Sequence, residues 1–192
     1  GLLPASSAEA RAAMSAAGIL IPPAGITMNQ ATSNLAGVAN PSTVLNAMAR
    51  AELPAGQAIK ASVAINPTVF SSHVAVSYLN TGSGWFFTGA VPVASNTIES
   101  DPLVFSRAGT YRVLIVILPT NVSYRTSSQN GSPWVNLVMP RTTLFSTPIP
   151  SSGLPQANQS MEWELVVSGQ VQTFNPTPAP AQQAPVLSLI HI

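Results

Sequence analysis

Short runs of alternating apolar and polar residues dominate the chain from residue 56 onward. Residues 59–65 place Ile59, Ala61, Val63 and Ile65 at every second position, which is typical of a half-buried strand. Residues 111–118 are apolar on both faces, so they predict a central strand that is covered on both sides. Residues 161–174 alternate again and predict a last long strand. Between these runs lie polar, proline-containing segments that predict loops.

The first 55 residues follow a different pattern. Ser6 and Glu9 form a capping box, and the helix formers of residues 8–17 predict a short helix that stops at Gly18. Asn40 followed by Pro41 predicts a second helix start, with a helix running to about residue 51. One or two short N-terminal helices are therefore expected.

The C-terminal residues read as an extended arm. Residues 175–185 consist almost entirely of Pro, Ala and Gln, which favours a polyproline II conformation without internal hydrogen bonds. Residues 186–192 are apolar and β-prone, and such a segment needs a partner strand in its own domain or in a neighbour. The predicted inter-subunit arm residues are Val186, Leu187, Leu189, Ile190 and Ile192.

These elements predict an all-β protein. About eight strands with helices confined to the N-terminal part exclude an alternating β/α fold and favour a sandwich or a closed barrel. We divide the chain into an N-terminal arm with short helices (1–55), a β-sandwich shell domain (56–174) and a proline-rich C-terminal arm (175–192).

Charge is scarce along the whole chain. Only 7% of the residues are Asp, Glu, Lys or Arg, against about 25% in ordinary soluble domains, and the formal net charge is +1. Near-zero net charge promotes association, so a subunit of an assembly is favoured over a free monomer. Cysteine is absent, which excludes disulfides and thiol catalysis. The apolar runs are too short for a spanning helix, so we expect no stable membrane insertion.

Few residues offer catalytic or metal-binding chemistry. Glu162 and Glu164 share a strand face and could act as a carboxylate pair or hold a cation, although a solvated outer face or pairing to an Arg is favoured. His73 and His191 lack partners at ligand spacing. No nucleophile elbow or phosphate loop occurs. We therefore predict no catalytic residue, no metal site and no cofactor.

Two further groups invite a binding hypothesis. Arg107, Arg112, Arg125 and Arg141 are spread through the β region and could contact nucleic acid weakly, or form salt bridges and interface hydrogen bonds. The aromatic triplet that starts at Trp85 could form a carbohydrate or membrane platform. Core packing is favoured for it.

Residues 109–119 (GTYRVLIVILP) and 163–171 (WELVVSGQV), with an arm on either side, resemble strands of the jelly-roll coat proteins of small icosahedral positive-strand RNA viruses. The resemblance implies an eight-stranded antiparallel jelly-roll sandwich and a shell subunit located in the virion. Its implied partners are copies of itself, other capsid subunits, a weakly bound genome and a host receptor. Many such coats carry an Arg/Lys-rich N-terminal arm, and this sequence has none.

Two other functions fit the same features. An extracellular or cell-surface pilus subunit would use residues 186–192 to complete the sheet of the next subunit. A secreted carbohydrate-binding β-sandwich would use Trp85 or Trp134 as a platform.

Overall fold

The computed structural model describes residues 18–20, 29–100, 102–125 and 148–171, and it confirms the prediction of an all-β sandwich. Two five-stranded sheets pack face to face. The first contains β1 (Ile19–Leu20), β2 (Asn29–Leu35), β4 (Ala58–Ile65), β7 (Thr97–Glu99) and β8 (Leu103–Phe105). The second contains β3 (Leu45–Ala55), β5 (His73–Asn80), β6 (Trp85–Pro92), β9 (Gly109–Pro119) and β10 (Gln159–Val171).

Both sheets are mixed. The first has the order β1-β8-β4-β2, with β7 also beside β4, and the second has the order β3-β10-β9-β5-β6. β2 runs parallel to β4 and β3 runs parallel to β10, whereas the remaining pairs are antiparallel. The expected eight-stranded antiparallel jelly roll is therefore not confirmed.

The helix predicted from residue 40 to residue 51 is wrong, because this stretch leads into β3. Alternate side chains of β3 are buried, including Ala47, Ala51 and Leu53, as the period of two requires. Asn40 does not cap a helix, and its Oδ1 accepts a hydrogen bond from the Ser42 amide in a tight turn. β3 pairs with β10 over eleven residues. These tertiary contacts override the weak local preference of the sequence for a helix.

Residues 29–55, which the sequence placed in the N-terminal arm, contribute β2 and β3 to the two sheets. The predicted helix of residues 8–17 lies outside the described residues. So do residues 134–139 and 142–146, which the sequence also predicts as two short strands, and the C-terminal arm of residues 175–192.

The inner faces of the two sheets form the main core. Trp163 and Leu165 of β10 pack there with Ile115 of β9, Val63 of β4 and Phe105 of β8. Each of these side chains is almost fully buried. The core lies between the sheets, so each strand's alternate residues point to the outside of the sandwich, where the candidate site lies.

A second, smaller cluster covers part of the outer face of the second sheet. Tyr124 and Ile149, from the segments that follow β9 and precede β10, lie over the outward side chains of β5, β6 and β9. Ile149 exchanges two backbone hydrogen bonds with Trp85, of 2.9 and 2.6 Å. The Tyr78 hydroxyl donates to the Arg125 carbonyl at 2.8 Å. These bonds fix the covering segments to the sheet.

Candidate functional site: the open face of the second sheet

The described residues cover the outer face of the second sheet only in part. Beyond the covering segments, the outward side chains of β3 and β10 and the neighbouring Arg112 of β9 form what we call the open face. Strand register aligns these side chains in cross-strand rows. The rows are Asn46–Ser160–Val116, Met48–Glu162–Leu114, Arg50–Glu164–Arg112 and Glu52–Val166–Thr110.

A network of alternating charges crosses the middle of the open face. Arg112 donates to Glu162 at 3.0 Å and to Glu164 at 3.1 Å. On the other side of Glu164, the Arg50 Nε lies 3.4 Å from a Glu164 carboxylate oxygen, and Arg50 also bonds Glu52 at 2.9 Å. Of the two alternatives that the sequence favoured for the β10 glutamates, a solvated face or pairing to an Arg, the pairing is observed for both.

The network concentrates charge in a protein that otherwise has little. Five of the nine charged side chains among the described residues belong to it. The β10 carboxylates are the most sheltered, at 18% and 28% exposed, whereas Arg50 and Glu52 on β3 are 54% and 68% exposed. Each exposed pair contributes only about 0.2–1 kcal/mol, so stability alone does not explain the concentration of charge.

The other end of the open face combines uncharged polar side chains with exposed apolar ones. Val44, just before β3, is 65% exposed and Met48 is 53% exposed. A surface groove of about 320 Å³ lies at the boundary between the open face and the covering segments. Its lining is Asn46, Leu114, Val116, Leu154, Pro155, Gln156, Ala157 and Ser160. The groove contains no ionisable side chain, so it suits packing against a polypeptide and offers no acid or base.

The open face ends in an unpartnered strand edge. Within the described part of the chain, β3 is the last strand of its sheet and runs for eleven residues. The Leu45 amide donates to the Asn158 carbonyl, which lies on the β10 side. Backbone groups of alternate residues in a strand point to opposite sides, so the amides of Asn46, Met48, Arg50 and Glu52 point away from β10.

Pro54 belongs to the same outward set. Because proline has no N–H, it is tolerated in a sheet only where that group is not needed for the ladder. Its place on β3 fits an edge strand and leaves the pairing with β10 intact.

The arginines proposed for nucleic-acid contact lie in different surroundings. Arg112 is held by two carboxylates in the network. Arg107 is exposed in the loop between β8 and β9, where its carbonyl accepts a hydrogen bond from Tyr111. Arg125 lies at the end of the segment that follows β9. Arg141 lies outside the described residues, as do the arm residues Val186, Leu187, Leu189, Ile190 and Ile192.

The remaining sequence candidates are placed as follows. Trp85, Phe86 and Phe87 are all buried, so the prediction of core packing for this triplet is confirmed. Glu99 of β7 pairs with Lys60 of β4. His73 lies edge-on to Phe70 at 5.1 Å, and burial lowers the pKa of its imidazole below the usual 6.5. Over the described ranges, no three His, Cys, Asp or Glu side chains are grouped so as to hold a metal.

Sequence reasoning missed the β3 half of the open face. Arg50, Glu52 and Met48 lie in the stretch predicted as a helix, where a period of two was overlooked. The signal was present in residues 47–53, in which small or apolar residues alternate with Met48, Arg50 and Glu52.

No family model and no curated protein matches this chain. Among solved structures, the chain is similar to a cysteine protease inhibitor from Entamoeba histolytica at 11% sequence identity. The match covers 77% of this chain and all of that one, with a TM-score of 0.33. Likeness at this level adds nothing to the description of fold or function. In the part of the chain that the structure describes, no helix is long and apolar enough to cross a membrane.

Proposed function

We propose that this chain is a structural subunit that assembles with copies of itself into a closed shell, as the capsid protein of a small virus does. The observation that carries the proposal is the open face with its β3 edge, which pairs with no further strand among the described residues. Isolated domains protect long strand edges, because an exposed edge is a template for pairing with another chain. Here the edge carries Met48 with half its surface exposed, beside a network of charges.

The chemistry of the open face supports an interface more than a reaction centre. All three of its carboxylates already pair with an arginine of the same face: Glu162 and Glu164 with Arg112, and Glu52 with Arg50. Side chains of both charge signs lie next to exposed apolar ones, and this mixture favours specific contact with another protein surface. Weak contact with a genome through Arg107, Arg125 and Arg141 remains part of the proposal and rests on the sequence.

Electron microscopy of the purified full chain tests the proposal. We expect spherical particles of uniform diameter, because a shell requires contacts that close by symmetry. Filaments would overturn the shell and favour the pilus-type subunit, whose strand donation also needs an open edge such as β3. A monodisperse monomer in light scattering would overturn both assembly functions.

The C-terminal arm gives a second test. Deleting residues 175–192 should reduce particle yield while circular dichroism still reports a folded β core, if these residues bind a neighbouring subunit. The matched control is the full chain purified in the same way. Loss of the β signal on truncation would instead assign residues 175–192 to their own domain and contradict the arm.

A further inference from the structure

We propose that β3 pairs with β3 of a second copy, antiparallel about a two-fold axis at Ala51, so that two second sheets become one continuous sheet. This inference names the partner of the open edge and rests on the proposed function, because it requires copies of the chain to associate. Three properties of the edge support it: hydrogen-bonding capacity, charge and side-chain size.

The hydrogen-bonding capacity of the edge suits a self-pairing strand. The outward amides of Met48, Arg50 and Glu52 all belong to even-numbered residues, and their carbonyls point the same way. When two β3 strands run antiparallel with Ala51 opposite its own copy, outward residues face outward residues. Arg50 then exchanges backbone hydrogen bonds with the partner's Glu52, and Glu52 with the partner's Arg50.

Charge favours this register over other antiparallel registers that have two-fold symmetry. At an Ala51 axis, each Arg50 side chain lies opposite the partner's Glu52, and such opposite pairs stabilise neighbouring strands. A register centred on Arg50 would instead oppose two arginines, which destabilises the pairing. The Ala51 register also extends the row Arg112–Glu164–Arg50 by the partner's Glu52, so alternation of charge continues from one copy to the next.

Side-chain size allows the close approach. Residues that meet in a non-hydrogen-bonded antiparallel pair have Cα atoms only about 4.5 Å apart. The residue on the axis is an alanine that is 2% exposed and faces the sandwich interior. Ala47, Ala49 and Ala55 share its face, so this side of β3 presents small side chains along most of its length.

Disulfide trapping tests the register directly. The chain contains no cysteine, so one introduced thiol reports only on its own contacts. Ala51→Cys should give a disulfide-linked dimer under mild oxidation. Ala49→Cys is the matched control on the same face. At the Ala51 register its two copies lie about 13 Å apart, beyond the limit of about 7 Å for a disulfide, so at least about tenfold less dimer is expected.

A charge reversal provides an independent measurement. Glu52→Arg places like charges opposite each other twice across the axis, so the dissociation constant from analytical ultracentrifugation should rise roughly tenfold or more. Glu99→Arg makes the same change in the first sheet and should leave that constant within about twofold. Circular dichroism of all four variants, with the thiol variants kept reduced, separates lost contact from lost fold.

Three outcomes overturn the pairing. The first is association of the Ala51→Cys variant without a disulfide, and the second is more efficient linkage of the Ala49→Cys variant. The third is a cross-link between positions 51 and 188 in an Ala51→Cys/Ser188→Cys double variant, which would assign the edge to residues 186–192.

The same variants distinguish a failure of β3 pairing from a failure of the proposed shell function. Spherical particles of the Ala51→Cys variant that contain no disulfide would overturn β3 pairing and leave the shell standing. A disulfide-linked Ala51→Cys dimer that forms no particles would uphold β3 pairing and overturn the shell.

Discussion

The covered and open halves of the second sheet's outer face belong to the same sheet, yet they carry opposite chemistry. In the covered half, Tyr124 and Ile149 lie over side chains of β5 and β6, namely Tyr78, Trp85 and Phe87. This cluster contains no charged side chain. Over β3 and β10, the outward residues are mostly charged or polar and none of the described segments covers them fully. Described loops of the same chain cover one half, and we propose that a second molecule covers the other.

The difference teaches where this charge-poor sequence uses its charge. A carboxylate under the covering segments would lose its hydration without a partner, which costs several kcal/mol, so apolar and aromatic side chains occupy that half. On the open half, Arg and Glu stay partly hydrated and pair with each other. Stability should therefore depend on the covered half and association on the open half.

The largest expected effect comes from Phe87→Ala in the covered half. The Phe87 ring packs against Tyr78 at 6.1 Å and Tyr124 at 5.9 Å, so truncation leaves a cavity and should lower the free energy of unfolding by about 3–5 kcal/mol. Urea denaturation measures this. Met48→Ala on the open half is the control and should change it by less than about 0.5 kcal/mol. Equal losses would abolish the distinction between the halves.

A smaller loss is expected for Tyr78→Phe, which removes the hydroxyl that donates to the Arg125 carbonyl. Burial raises the pKa of this phenol, so it donates at all ordinary pH values. Unfolding should become easier by about 1 kcal/mol. Trypsin should also cleave faster after Arg125, with cleavage after Arg50 as the internal reference. Unchanged cleavage at Arg125 would show that this bond does not hold the covering segment.

On the open half, Arg112→Gln should cost about 1 kcal/mol at low salt, because Glu162 and Glu164 lose their shared partner and repel each other. Arg107→Gln is the control, since Arg107 is exposed and forms no salt bridge with a described residue. The cost should shrink when the unfolding curves are repeated in high salt. A salt-independent cost would point to lost packing instead of lost charge pairing.

The smallest expected effect is that of acid on His73, a half-buried residue at the start of β5. Burial lowers the pKa of the folded imidazole, so the unfolded chain binds more protons just below pH 6.5. The stability that the neutral His73 side chain contributes is fully present above pH 6.5. It is lost as the pH falls towards the pKa of His73 in the folded protein. Unfolding curves at about pH 7.5 and 5.5 should differ less in His73→Gln than in the original chain. Equal differences would exclude the imidazole as the cause.

The strands that sequence predicted well are those whose alternation is strong. β4 and β9 were found within about two residues of their observed ends, because their inward residues are consistently apolar. β2 was missed because it contains the polar residues Gln30, Thr32 and Asn34, so the stretch has too few apolar residues to indicate a strand. β3 was missed because its inward residues are mostly alanines, which favour a helix by propensity.

Half of the candidate site could be predicted from the sequence. The shared face of Glu162 and Glu164 follows from the two-residue period of one strand, and an Arg partner was one of the two alternatives favoured for them. The identity of that partner as Arg112 depends on the register between β10 and β9. Register between distant strands is fixed by the whole packed sheet, so no local pattern could supply it.

Parallel pairing of β3 with β10 also sets the order in which the molecule is completed during synthesis. Asn46 and Ser160 bond each other across 114 residues, so β3 leaves the ribosome long before its partner exists. N-terminal segments emerge first, and the sheet gains its last inner strand only when β10 appears. A nascent chain therefore has no ordered β3 edge to offer, and association through β3 on the ribosome is disfavoured until β10 has been made.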